Sequence, residues 1–226
     1  MNRPGSPPLP RHLAALAARG PAQVPGQTGV RSLLLDIGLK IIVWSDHSIP
    51  SVALHNWMRV GSRNEAPGLT GLAHFFEHMM FNGTARHPAG EFDRLMEAQG
   101  GSNNAFTCDD VTVYQDWFPR GALDLVFELE ADRIHGLSLA PALIESERGV
   151  VYSERLLRVD DNNAGYLSEQ VQTAAFVAHP YRFPTMGLPE DIRGWTARDL
   201  RQFYRTYYAP NNQTIVLVGD VSHEEA

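Results

Sequence analysis

The run Leu72-Ala73-His74-Phe75-Phe76-Glu77-His78-Met79-Met80 sets three polar side chains inside an apolar stretch, and that conflict constrains the fold more than any other feature. Leu72, Phe75, Phe76, Met79 and Met80 recur at three- and four-residue spacing, which predicts a helix opened near Leu69 and stopped by Asn82-Gly83. Those five residues already supply its core face. His74, Glu77 and His78 are then a polar cluster on a helix that must be buried, and burial without a partner is costly. Residues four apart share a helix face, so the two imidazoles can converge on one ion with Glu77 beside them.

Two nitrogen ligands and a carboxylate would suit one zinc ion and leave its fourth position to water, whose pKa then falls towards roughly 7. Glu77 is placed to take the proton, direct the oxygen at a carbonyl and return the proton to a leaving amine. The common alternative is a pair of hydrogen-bonded core histidines, and His-x-x-Glu-His arises by chance in roughly a few per hundred chains of this kind. Against it stands the apolar face, which has no need of the histidines. A third ligand has candidates in Glu145, Glu147 and Glu154 on the helix predicted over 141–158. Glu147 and Glu154 lie seven apart, two turns along one face, and spacing does not choose between them. For any one helical glutamate, a solvated surface carboxylate is the commoner state.

The rest of the chain alternates strand and helix signals. Apolar runs at 32–36 and 40–44 predict a hairpin, and 51–60 predicts a third strand with Val52, Leu54, Asn56, Met58 and Val60 on one face. The other face, with Ala53, His55, Trp57 and Arg59, reads as covered in part. A helix follows at 89–99 with Phe92, Leu95 and Met96 inward, then strands at 102–107 and 111–118 joined by Cys108-Asp109-Asp110. Helices are predicted over 122–134, 141–158, 165–178 and 197–207, and a last strand over 213–218. This is an α+β domain with helices packed on a largely antiparallel sheet.

With 226 residues, 43% of them hydrophobic, the chain is long enough for a real core. Its net charge is −7 and its basic residues are scattered, which argues against nucleic acid or an anionic membrane as a partner. The lone Cys108 excludes an intrachain disulfide and reads as an incidental thiol. Residues 1–29, rich in Pro and Gly, read as a flexible leader with at most a turn or two of helix, and 30–226 as the ordered domain. The apolar stretch 13–18 is too short for a transmembrane span and makes no convincing signal peptide, which favours the cytoplasm over the periplasm.

Three blocks in order resemble one family. They are Gly61-Ser62-Arg63-Asn64-Glu65 with Gly71 to Thr84, Gly100-Gly101-Ser102-Asn103-Asn104-Ala105-Phe106-Thr107, and Glu147-Arg148-Gly149-Val150-Val151-Tyr152-Ser153-Glu154. Together with Asn211-Asn212 and Val218-Gly219-Asp220 they resemble the inverted-zincin peptidases of the pitrilysin and insulinase type, over nearly everything after residue 30. The resemblance implies a zinc endopeptidase acting on extended or unfolded peptide segments. It implies Glu154 as third ligand, since the family glutamate ends a Val-Val-x-x-Glu block 76 positions after the second histidine, and Glu147 as an acidic residue supporting a ligand. It also implies that Asn104, Ala105 and Phe106 lie on an edge strand that pairs with substrate.

Such enzymes combine this half with a complementary half, supplied by the same chain or a partner, that carries the oxyanion-stabilising groups. The box Ser222-His223-Glu224-Glu225 announces a further helix, so the domain reads as cut short at its C-terminal end. The alternative function is a metal-binding but inactive fragment, a docking subunit for a related peptidase.

Overall fold

A computed structural model describes Ala22–Gln23 and residues 29–226. The strands are β1 (Ala22–Gln23), β2 (Val30–Leu34), β3 (Lys40–Ser45), β4 (Ser51–Met58), β5 (Ser102–Thr107), β6 (Thr112–Pro119) and β7 (Gln213–Gly219). The helices are α1 (Leu72–Met79), α2 (Glu91–Ala98), α3 (Leu123–Gly136), α4 (Pro141–Arg155), α5 (Asn163–Ala175), α6 (Pro189–Gly194) and α7 (Ala197–Tyr207). The leader reading of 1–29 falls mostly outside the described residues, although Ala22 and Gln23 pair with Ser32 and Arg31.

One sheet runs β1-β2-β3-β7-β4-β6-β5. Every pairing is antiparallel except β3 with β7. The α+β reading with a largely antiparallel sheet therefore holds, and the β2–β3 hairpin forms as expected. The last strand enters the middle of the sheet, between β3 and β4, which closes the two halves of the sheet into one.

Period-two alternation decides which face meets the helices. Val52, Leu54, Asn56 and Met58 of β4 are buried, while Ala53, His55 and Trp57 are half-buried on the other side. The helical side holds two apolar clusters. One gathers α1 and α7 around Phe75, Phe76 and Met79, and the other joins Leu54, Phe118, Val126, Leu129 and Leu217. The Phe76 ring stacks against Phe203 and Tyr204 of α7, at centroid distances of 5.4 and 5.9 Å. On the opposite side of the sheet, Trp44, Trp117 and Phe106 remain substantially exposed.

Two helix boundaries differ from expectation for identifiable reasons, and one short helix was not expected. Helix α1 begins at Leu72, not Leu69, because Gly71 is left-handed (φ +87°) and Thr70 is held outside by Asp191. The predicted 141–158 helix ends as an α-helix at Arg155 and continues as a wider π turn over Leu156–Asp160. The short helix α6 had no apolar period to reveal it.

A polar layer also crosses the core. Gln213 donates to Asn56 (2.7 Å), Asn56 donates to Glu130 (3.1 Å), and Glu130 pairs with Arg133, whose guanidinium lies over the Phe92 ring. Asp116 sits 3.9 Å from Arg133, fully buried and without a hydrogen bond. Burial first, and the Glu130 charge second, push its carboxyl up to about 9. The folded state thus binds a proton that the unfolded chain has lost, between about 4 and about 9, so this group's contribution to stability falls as pH rises through that window. Asp116→Asn should therefore gain on the wild type with rising pH, by at most about 1.4 kcal/mol per unit. Denaturant unfolding at several pH values checks this, and parallel curves for the two proteins would refute it.

Candidate metal centre

Helix α1 is fixed at its start by Glu65, whose carboxylate accepts from the N–H groups of Gly71 and Ala73, each at 2.7 Å. The Glu65 oxygens satisfy donors that a helix start leaves free, while burial pushes its carboxyl up to about 8 against those hydrogen bonds. Leu72, Phe75, Phe76 and Met79 turn into the core. The remaining strip, with His74, Glu77 and His78, faces α4 and β5.

Helix α4 brings up its own strip. Glu154 Oε2 stands 3.5 Å from His74 Nε2 and 3.2 Å from His78 Nε2, and the two ring nitrogens are 3.3 Å apart. A tetrahedral ion bound at about 2.0–2.1 Å separates its ligand atoms by about 3.3–3.4 Å. The three atoms therefore match the corners of such a site, and among the described residues His74, His78 and Glu154 form the one group able to hold a metal in this way. Two nitrogens and one carboxylate suit zinc, leaving one coordination position open. Glu145 is turned out and pairs with Arg148, while Arg158 meets the other oxygen of Glu154 at 2.9 Å.

Glu147 does not pair with Arg148 or Arg155. Its Oε1 accepts from His78 Nδ1 at 2.8 Å, and its Oε2 accepts from the Asn82 amide at 2.7 Å. The Asn82 amide also donates to the His78 carbonyl (3.2 Å). A proton held on Nδ1 leaves Nε2 with its lone pair towards Glu154, the tautomer that a metal requires. Burial lowers the His78 pKa, but the Glu147 hydrogen bond and charge outweigh it and leave the ring above its ordinary value. His74 is pushed down to about 3 by burial and by its neighbour His78, so it is neutral at ordinary pH.

Glu77 points beside the triangle and not into it. Thr107 of β5 donates to its Oε2 at 2.5 Å, and burial raises its carboxyl against that hydrogen bond. A carboxyl whose affinity for a proton is raised in this way, in a half-covered cleft, is suited to general acid–base work. Neither Asn82 nor Thr107 was picked out by sequence reasoning. Asn82 stands four residues after His78, one helical turn on, and Thr107 shares with Ala105 the face of β5 turned to the helices, so both positions had a spacing signal.

A cleft of about 270 Å³ opens here, lined by Glu77, His78, Phe81, Asn82, Asn104, Ala105 and Glu147. The edge strand β5 forms one wall, and among the described residues one of its sides has no partner strand. Asn104 and Ala105 reach this cleft. The Phe106 ring lies on the far side of the sheet, edge-on to Trp57 at 6.4 Å, while its main chain continues the same edge strand. Cys108 is exposed and free.

Comparison with known proteins gives concordant matches. Residues 40–188 match the family described as insulinase (peptidase family M16), and residues 194–226 match the peptidase M16 inactive domain. The zinc protease PqqE of Helicobacter pylori is 35% identical over 195 residues, covering 86% of this chain and 44% of that protein. The crystal structure of a protease from Helicobacter pylori superposes with a TM-score of 0.84 at 35% identity, covering 86% of this chain and 47% of that one. The first half of the periplasmic protease PqqL from Escherichia coli gives 0.79 at 29% identity, covering 90% of this chain and 45% of that one. The chain thus spans about half the length of these relatives. Because one of them is periplasmic, the preference for the cytoplasm drawn from the sequence finds no support among them. Among the described residues no helix is long and apolar enough to cross a membrane.

Proposed function

The chain belongs to the insulinase family of peptidases, family M16, and from that premise we propose that it is the zinc-binding half of an endopeptidase that cuts extended peptide segments. The observation that carries this reading is the triangle of His74, His78 and Glu154 donor atoms, 3.2–3.5 Å on each edge, with the Glu77 carboxyl beside it. His74, His78 and Glu154 hold one zinc ion. Once bound, the metal supplies a Lewis acid and lowers the pKa of the water it carries.

Each residue then has a separate task. Glu77, kept in place by the Thr107 hydroxyl, takes the proton from the attacking water and delivers it to the leaving amine. Glu147 and Asn82 hold His78 in its binding tautomer. The free edge of β5 pairs with the substrate main chain at Asn104 and Ala105, which demands extension of the peptide more than particular side chains. Phe106 serves this strand by packing on Trp57, away from the scissile bond.

A complementary half completes the enzyme. The exposed Trp44, Trp117 and Phe106 on the side of the sheet away from the helices offer apolar area that favours such a partner, as does coverage of about half of the relatives. Residues 30–226 act in this arrangement as the metal-bearing domain. Metal analysis together with cleavage of a quenched extended peptide, with and without a matching second half, tests the reading. One zinc per chain and zinc-dependent cleavage in the combined sample are expected. Zinc without cleavage in either sample would replace the enzyme with a docking subunit.

A further inference from the structure

Helix α4 carries the dipeptides Glu147-Arg148 and Glu154-Arg155, seven residues apart. One step along a helix turns about 100°, so the two arginines form a strip beside the two glutamates and face a different neighbour. That neighbour is the segment 187–195. Arg148 donates to the carbonyls of Ile192 and Trp195, the latter at 2.8 Å. Arg155, only 3% exposed, donates to the Gly187 carbonyl at 2.5 Å. It also makes a two-pronged pair with Glu169 of α5, both bonds 2.9 Å, and meets Asp160 of the π turn at 3.1 Å.

The helix bearing the histidines rests on the same segment. Thr70, just before α1, donates to Asp191 through its N–H (3.0 Å) and hydroxyl (2.6 Å), and that hydroxyl accepts from Leu188 N–H (2.8 Å). The Trp195 ring N–H donates to the Thr70 carbonyl at 3.2 Å. Gly71 and Gly187, both at positive φ, cross so closely that a Cβ on Gly187 would lie 2.7 Å from Gly71 Cα. Both metal-bearing helices are therefore indexed to one short stretch of backbone, α1 through Thr70-Gly71 and α4 through Arg148 and Arg155.

The geometry points to Arg155, assisted by Arg148, as a positioning residue that sets the register of α4 on segment 187–195 and so holds the Glu154 carboxylate at metal distance from His74 and His78. This inference rests on the metal reading above. A buried guanidinium is costly unless its donors are met with good geometry, and a bidentate carboxylate with a main-chain carbonyl meets that need. Such a clamp resists sliding and rotation together. A slip of α4 by even 1 Å or so would open a triangle whose edges are 3.2–3.5 Å.

The test compares zinc affinity by chelator competition, and the visible spectrum of the cobalt(II) form, for the wild-type chain, Arg155→Met, Arg155→Lys and Glu169→Gln. Arg155→Met should weaken zinc by about 10–100-fold, the range for loss of a partner outside the coordination shell, and move the cobalt spectrum towards that of Glu154→Ala. Arg155→Lys should restore part of both, since an ammonium can still meet Gly187 or Glu169. Leu54→Ala, in the other apolar cluster, should lower thermal stability and leave affinity unchanged, which separates positioning from general loosening. If Arg155→Met does not fold, Glu169→Gln decides alone, with the same direction expected. Wild-type affinity and spectrum in the folded variants would overturn the inference and leave the metal reading intact, whereas a wild-type chain that binds no zinc would overturn both.

Discussion

Glu77→Gln should keep one zinc per chain while peptide hydrolysis falls by about 10²–10⁴-fold, the usual weight of a positioned acid–base group. The glutamine is nearly isosteric, its amide oxygen can still accept from Thr107, and Glu77 is not one of the three groups whose donor atoms converge. Only the capacity to carry a proton disappears. Burial holds the Glu77 carboxyl above its ordinary value against the Thr107 hydrogen bond, and an amide in its place has no proton to exchange at any pH. Metal content by elemental analysis, beside turnover of a quenched peptide in the presence of the second half, separates the two effects. A variant that lost its zinc would show that Glu77 is a ligand and that another group is the base.

Removal of Glu154 should do the reverse. Structural zinc sites are worth about 10–16 kcal/mol over four ligands, or roughly 3 kcal/mol for each, so Glu154→Ala should weaken zinc by at least about 100-fold. His74→Ala and His78→Ala should behave alike. Glu147→Ala acts only through the His78 Nδ1 hydrogen bond and should cost less, nearer about 10-fold. This ordering is the informative part, because Glu147 and Glu154 share a helix, a face and a charge, and differ in which atom of His78 they approach. Equal losses for both, or a Glu154→Ala protein that retains zinc as tightly as the wild type, would remove Glu154 from the coordination shell.

The elements that local pattern could reveal were read correctly. The alternation in Ser51–Met58 assigned the faces of β4, and the three- and four-residue spacing of Leu72, Phe75, Phe76 and Met79 assigned the core side of α1, because each depends only on neighbours within the element. The placing of His74, Glu77 and His78 on one strip followed from the same arithmetic. Less legible were features set by bonds to other parts of the chain. Helix α1 starts late because Gly71 is left-handed and Asp191 holds Thr70 outside it, and α4 widens to a π turn where Arg155 is tied to Asp160 and Glu169.

What the sequence determined by itself was a helix obliged to bury two imidazoles and two carboxylates on another helix spaced to reach one point, since periodicity is a property of the chain alone. Which carboxylate meets which nitrogen was decided only by tertiary structure: Glu154 on the Nε2 atoms and Glu147 on His78 Nδ1, with Thr107 arriving from β5 to hold Glu77. The insertion of β7 beside β3 and the crossing of Gly71 over Gly187 belong to the same class. Such contacts join residues dozens to well over a hundred positions apart, and they are selected by the packing of the whole core, which no local period encodes.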